Sequence, residues 1–306
     1  METVKTASRS AVWLALTIVY IAWGSTYVGI RIMDRTIPPL IGAGCRYLSA
    51  GIAVYVFLWI RRRTAPRVRP RELGSLALVG VLLLVGGNGF ICLAERHVPA
   101  GLSALVVASV PLWLLVIRMV TRDRPGGATL AGLGVGFLGV ALLVLRGGAE
   151  QGVSVSELLI VVGASFSWAL GSWASSRLPM PSDTATATAL EMLIAGAVLM
   201  ALGPAIGERW SALTQHASAD SLLAVVYLAL IGSVLAFMAY VWLLQHAPIS
   251  LVSTYAYVNP VVAVILGAIL LGEKITVTTV VGGAIIVFAV VLVISAEARS
   301  ARAAAT

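Results

Sequence analysis

Apolar runs of about 20 residues recur along the whole chain, the length a helix needs to cross ~30 Å of hydrocarbon. Bounded by charged residues or by Pro and Gly, they fall near 11–33, 39–60, 73–94, 99–120, 128–145, 157–177, 185–206, 220–244, 248–271 and 275–295. Runs such as LALVGVLLLVGG do not alternate polar with apolar residues, as a membrane β-barrel strand would. Composition agrees: 59% of residues are hydrophobic, 11% are charged, and mean hydropathy is +0.99. A soluble domain carries about 25% charged residues. The chain therefore reads as an all-α integral membrane protein with ten transmembrane helices. The spans leave only short loops and tails, with no room for a soluble catalytic or nucleotide-binding domain.

The net charge of +8 would suggest nucleic acid in a soluble protein. In a membrane chain it points to cytoplasmic loops facing anionic lipid, and no nucleic-acid partner is expected. Counted on alternate sides of the spans, the Lys and Arg residues outside Arg46 divide 14 to 6. The positive-inside rule then places both termini in the cytoplasm. The cluster RRRTAPRVRPRE between spans 2 and 3 dominates that count. It reads as a topology anchor, with a specific lipid site as the alternative. METVKTASRS leads into the first apolar run without an evident small-residue cleavage site, so that run reads as a span and not a removed signal peptide. Cys45 and Cys92 lie inside apolar runs and read as small buried residues, not as a disulfide.

The two halves of the chain match one another. His97, Pro99 and Pro111 recur 149 residues later as His246, Pro248 and Pro260. Trp23 matches Trp168, Ala50-Gly51 matches Ala195-Gly196, and Arg46 stands opposite Glu191, all at an offset of 145. Each copy holds five spans, an odd number, so the second copy must enter the membrane from the opposite side. Two inverted five-helix repeats are expected, residues 1–149 and 150–306. His97 and His246 then belong to opposite sides and cannot share one site.

The stretches YIAWGSTYVGIRI, AERHVPAGLSALVVASVPLWL, STYAYVNPVVAVILGAILLGEKI and VFAVVLVIS resemble the EamA-type transporters of the drug/metabolite transporter superfamily. The resemblance runs over essentially the whole chain and is nearest to the ten-helix bacterial inner-membrane members. It implies inverted five-helix halves around a central cavity and carrier-type transport without ATP. It also favours efflux, and a multi-pass location in the bacterial inner membrane. The chain contains no GxxxxGK[ST] sequence, which agrees with a carrier.

Several residues could carry transport. Pro111 and Pro260 fall inside spans 4 and 9, where each removes a backbone donor and frees a carbonyl. They read as paired helix kinks, lining a cavity or bending the helices without touching substrate. Tyr255, Tyr257 and Asn259, with Ser253 and Thr254, put five polar tips into seven positions of an apolar span. They are candidate substrate contacts, with helix–helix hydrogen bonding as the alternative. Asn88, among Gly86, Gly87 and Gly89, is balanced between the same two roles. Trp23 and Trp168 lie away from span ends and suit aromatic cavity walls, whereas Trp13, Trp59 and Trp242 read as interface anchors.

Arg46 and Glu191 are the two charges deep in spans, and charge at that depth is a functional candidate. At ~1.5 Å per residue each lies roughly 10 Å in from its own side of a ~30 Å core, so separate partners are favoured over a direct pair. Proton coupling through Glu191 is the sharper alternative. Glu95, Arg96, Glu273 and Lys274 read as polar caps of short loops. Gly132 and Gly136 form a small-residue face for packing between the halves or between protomers, which leaves a homodimer open.

The function expected is a secondary carrier. It moves a small neutral or zwitterionic metabolite, such as an amino acid, by alternating access, with no cofactor or metal. The alternative is a membrane-embedded enzyme acting on a lipid or prenyl substrate. That would need clustered His, Asp or Glu, and the three histidines all fall at loops.

Overall fold

The computed structural model describes residues 8–64, 68–121, 126–247, 249–252 and 254–303. Among these every regular element is a helix and there is no strand. Pro248 and Ser253 lie outside the described residues. Ten apolar segments follow one another: α1 Arg9–Met33, α2 Pro39–Arg62, α3 Pro70–Glu95, α4 Ala100–Val120, α5 Thr129–Glu150, α6 Val155–Ser175 and α7 Thr184–Ala205. Then come α8, made of Ala219–Tyr227, Leu228–Leu235 and Ala236–His246 in succession, α9 Tyr255–Leu271 and α10 Val277–Ala303.

Among the described residues, nine of the ten are long and apolar enough to cross a membrane, and α9 is the shorter tenth. Expected as one span over 248–271, that stretch is divided into Ile249–Val252 and α9. The 17 residues of α9 reach about 26 Å, just under a hydrocarbon core. A short helix, Trp210–Gln215, occupies what reads in the sequence as a plain loop.

Local chemistry sets the helix ends. Ser8, Ser154, Asp183 and Ser218 each accept a first-turn backbone N–H at the starts of α1, α6, α7 and α8. Proline opens α2 and α3, where its missing N–H costs nothing. Gly272, at φ +67°, closes α9, and the following Glu273 N–H donates back to the Gly267 carbonyl.

Small residues bring the helices together. A Cβ on Gly196 of α7 would stand 2.8 Å from the Leu48 backbone nitrogen of α2. Gly51 of α2 meets the Ala189 carbonyl in the same seam. Gly132, Gly136 and Gly139 of α5 face Val293, Ala289 and Ile286 of α10, so this small-residue face is used inside the chain.

Polar clasps pin the helix ends. Glu208, just after α7, accepts from the Leu40 and Ile41 amides at the start of α2, at 3.0 and 2.9 Å. Glu273, just after α9, does the same for Ala100 and Gly101 at the start of α4, at 2.7 and 3.1 Å. Each carboxylate meets free donors at the positive end of a helix dipole. At the other end of the α2–α7 seam, Arg62 pairs with Asp183 at 2.8 Å. That hydrogen bond from Arg62 holds the Asp183 carboxyl below its usual range. Asp34, beside the far ends, is pushed the other way by burial. Glu95 is not a loop cap as expected: it is fully buried, and Arg31 donates to its main-chain carbonyl. Cys45 and Cys92 are both free thiols, Cys45 half-buried and Cys92 buried.

Candidate functional site

Two of the long helices widen into π-helical turns at matching places, Val81–Gly89 in α3 and Leu228–Leu235 in α8. A third, Leu143–Gly147, interrupts α5. A π turn loosens the ladder and leaves carbonyls available to side-chain donors, and such turns gather at functional sites. Here the freed carbonyls are used. Trp23 Nε1 on α1 donates to the Gly232 carbonyl at 3.1 Å. Ser167 Oγ on α6 donates to the Leu82 carbonyl at 2.7 Å.

Around the α8 turn the chain builds a cage of rings and hydroxyls. The Trp23 ring lies 5.1 Å from that of Tyr240 on α8 and 5.0 Å from that of Tyr255 on α9. Tyr240 and Tyr255 meet edge to face at 5.8 Å. Edge contacts of this kind set the rings without a flat stack. The Tyr20 hydroxyl on α1 bonds Thr254, and Ser25 Oγ bonds the Tyr227 hydroxyl at 2.6 Å. Close backbone approach makes the α1–α9 contact possible: a Cβ on Gly24 would stand 2.6 Å from Val262 Cβ and 3.0 Å from the Asn259 carbonyl.

Arg46 reaches the same turn from α2. It is 5% exposed, and its Nε donates to Ser233 Oγ at 3.0 Å. Its guanidinium sits 4.8 Å from the centroid of the Tyr47 ring. Asn259 Oδ1 is buried without a hydrogen-bond partner among the described residues.

The other expected residues lie apart from this cage. Trp168 packs over Gly87, where a Cβ would come within 2.8 Å of its ring. Asn88, next to Gly87, is half-buried, and its side chain makes no hydrogen bond among the described residues. Tyr257 packs with the apolar group around Val106, Leu112 and Val290, and no bonding through its hydroxyl is recorded among the described residues. Pro111 follows a break in α4 at Ala108–Ser109, whereas the helix runs on through Pro260 and its break lies upstream, before Tyr255. Glu191 is buried, with its backbone against Gly80, and forms no ion pair with Arg46.

Tyr20, Tyr227, Tyr240 and Ser233 are not evident from the sequence as site residues. One signal for Ser233 was present: Gly232-Ser233 follows Gly87-Asn88 by the same 145 residues that separate Trp23 from Trp168. Tyr240 has no such signal, because its role comes from a ring contact across three helices.

The fold and this interior site define a helical membrane protein whose polar groups converge between helices from both ends of the chain. The chain belongs to the EamA-like transporter family, whose model matches it twice, over residues 9–145 and 155–295. It is 44% identical to the uncharacterized inner membrane transporter YedA of Escherichia coli K12, over 91% of this chain and 89% of that one. It is 26% identical to a probable amino-acid metabolite efflux pump of Salmonella typhimurium, covering 88% and 89% of the two chains. A solved crystal structure at 21% identity superimposes with a TM-score of 0.59 over 93% of this chain and 96% of that one, which speaks for the fold. The protein is thus a multi-pass inner-membrane transporter, and not an enzyme.

Proposed function

We propose that the protein is a secondary carrier for a small neutral or zwitterionic metabolite, an amino acid or a compound like it. Residues 1–149 and 150–306 form the two inverted copies, with both termini in the cytoplasm. Substrate is held between them and exposed to each side in turn as the halves rock. The observation that carries this reading is the Trp23–Tyr240–Tyr255 cage, in which α1 of the first copy meets α8 and α9 of the second. Rings with hydroxyl tips suit a small organic solute with an apolar part and a few hydrogen-bonding groups. Export is favoured over uptake, with the Salmonella relative's name in support.

Counterflow in proteoliposomes with a panel of labelled amino acids tests the reading. Accumulation of at least one of them against unlabelled compound inside is expected, and its loss in Trp23→Ala. A panel in which none is exchanged overturns the amino-acid assignment.

A further inference from the structure

A cation held inside a membrane protein needs an anion nearby, or its desolvation goes uncompensated. Arg46 is 5% exposed, and no carboxylate among the described residues forms an ion pair with it. Ser233 occupies Nε, and the Tyr47 ring lies alongside. Nη1 is buried and has no hydrogen-bond partner among the described residues. The residue that matches Arg46 in the other copy, Glu191, is not bonded to it. An unpartnered guanidinium N–H therefore sits in the interior with nothing among the described residues to receive it.

The position of that group matters as much as its charge. Gly232 joins Arg46 to the aromatic cage. Its carbonyl accepts from Trp23 Nε1 at 3.1 Å, and a Cβ on it would stand 3.4 Å from Arg46 Nη2. The guanidinium and the Trp23 ring thus flank one π-helical turn of α8. One turn of α8 therefore touches both the ring cluster and the guanidinium.

We infer that Arg46 is the receptor for a free carboxylate on the transported solute, so that substrates are monocarboxylates, α-amino acids with apolar side chains among them. This rests on the carrier reading above and narrows it. Guanidinium and carboxylate match in charge and planar geometry, and the pair is charge-assisted. The aromatic cage takes the apolar side chain and offers π faces to an ammonium group. Ser233 is a positioning residue, holding Nε so that Nη1 stays turned away from it.

The test compares leucine, leucinamide and 4-methylpentanoate in counterflow and in thermal unfolding of the purified full-length protein. The native chain should exchange leucine about 100-fold better than leucinamide, as expected for losing a hydrogen bond to a buried charge. In Arg46→Gln that preference should shrink to a few-fold or less. Arg46→Lys, which keeps the charge without the planar fork, should retain part of it, and Ser233→Ala should lower leucine exchange about 10-fold without reversing the preference.

Unfolding temperature checks that each variant folds, and Arg46→Lys serves if Arg46→Gln does not. Equal exchange of leucine and leucinamide overturns the assignment to Arg46 while leaving the carrier reading intact. A full carboxylate preference retained in both Arg46 variants does the same. Stabilisation by 4-methylpentanoate that Arg46→Gln or Arg46→Lys weakens, without any exchange, supports the carboxylate site and counts against leucine as a transported solute. Neither exchange nor stabilisation by leucine or 4-methylpentanoate overturns the assignment to Arg46.

Discussion

Trp23 and Trp168 occupy matching positions in the two copies, yet they stand in different surroundings. Each lies against the π-helical turn of a helix running past it, Trp23 at Gly232 and Trp168 at Gly87. Around Trp23 the neighbours are Tyr240, Tyr255 and, through Gly232, the Arg46 guanidinium. Against Trp168 stands Gly87, with Asn88 next to it in the chain. Where the first copy carries Arg46 the second carries Glu191, and where the α8 turn carries Ser233 the α3 turn carries Asn88. Duplication preserved a tryptophan against a glycine of each turn, and at Trp23 a hydrogen bond to the turn carbonyl accompanies it. The polar groups diverged, so the candidate site is one-sided even though its scaffold is repeated.

The sharpest way to break the comparison is to break the scaffold that both sites share. Gly196→Val in the α2–α7 seam places a side chain where backbone already stands, and overpacking should cost about 3 kcal/mol. A large drop in unfolding temperature in detergent is expected, and an unchanged value contradicts the packing described.

Next comes the difference between the two tryptophans. Trp23→Ala removes an N–H donor and two ring contacts and should lower counterflow about 100-fold, whereas Trp168→Ala should cost less than about 10-fold. Equal losses would mean that both turns carry substrate contacts.

The end clasps give smaller effects. Glu273→Gln weakens two charge-assisted bonds to the start of α4 and should cost about 1–2 kcal/mol of stability. Glu208→Gln should cost less, because Glu273 also faces Arg31 at 3.8 Å. Melting curves of the two variants measured side by side will order them.

The smallest effect is in pH. Asp183 has its folded value lowered by Arg62, so its contribution is present above the unfolded carboxylate value and is lost as pH falls through the folded one. The pair is partly exposed and solvent-screened, so the loss should be about 0.5 kcal/mol. Asp34 has its folded value raised by burial and acts with the opposite sign: stability falls as pH rises from the unfolded value through the folded one. Asp183→Asn should remove the acid-side decline, and Asp34→Asn should raise stability at neutral pH. Unfolding temperatures from pH 3 to 8 would expose either sign if reversed.

The ten apolar runs, the repeat offsets and the family resemblance were all legible in the sequence, because span length and residue identity survive in one dimension. Trp23, Tyr255 and Arg46 were legible as unusual residues within apolar runs. Their company was not. Tyr240 and Tyr227 read as ordinary span residues, and Tyr257 looked equivalent to Tyr255 until packing turned it among apolar neighbours. Glu95 read as a loop residue because it ends a run, but the helix ends around it fold over and bury it.

By itself the sequence determined the class of this protein and its duplicated plan, since hydropathy over a span length and recurring residues need no partner to be recognised. Tertiary structure alone decided which polar groups meet. That Trp23 and Arg46 flank one turn of α8 depends on glycine contacts between helices roughly 190–210 residues apart in the chain. Contacts at such separation are set by how the helices pack, and no local pattern encodes them.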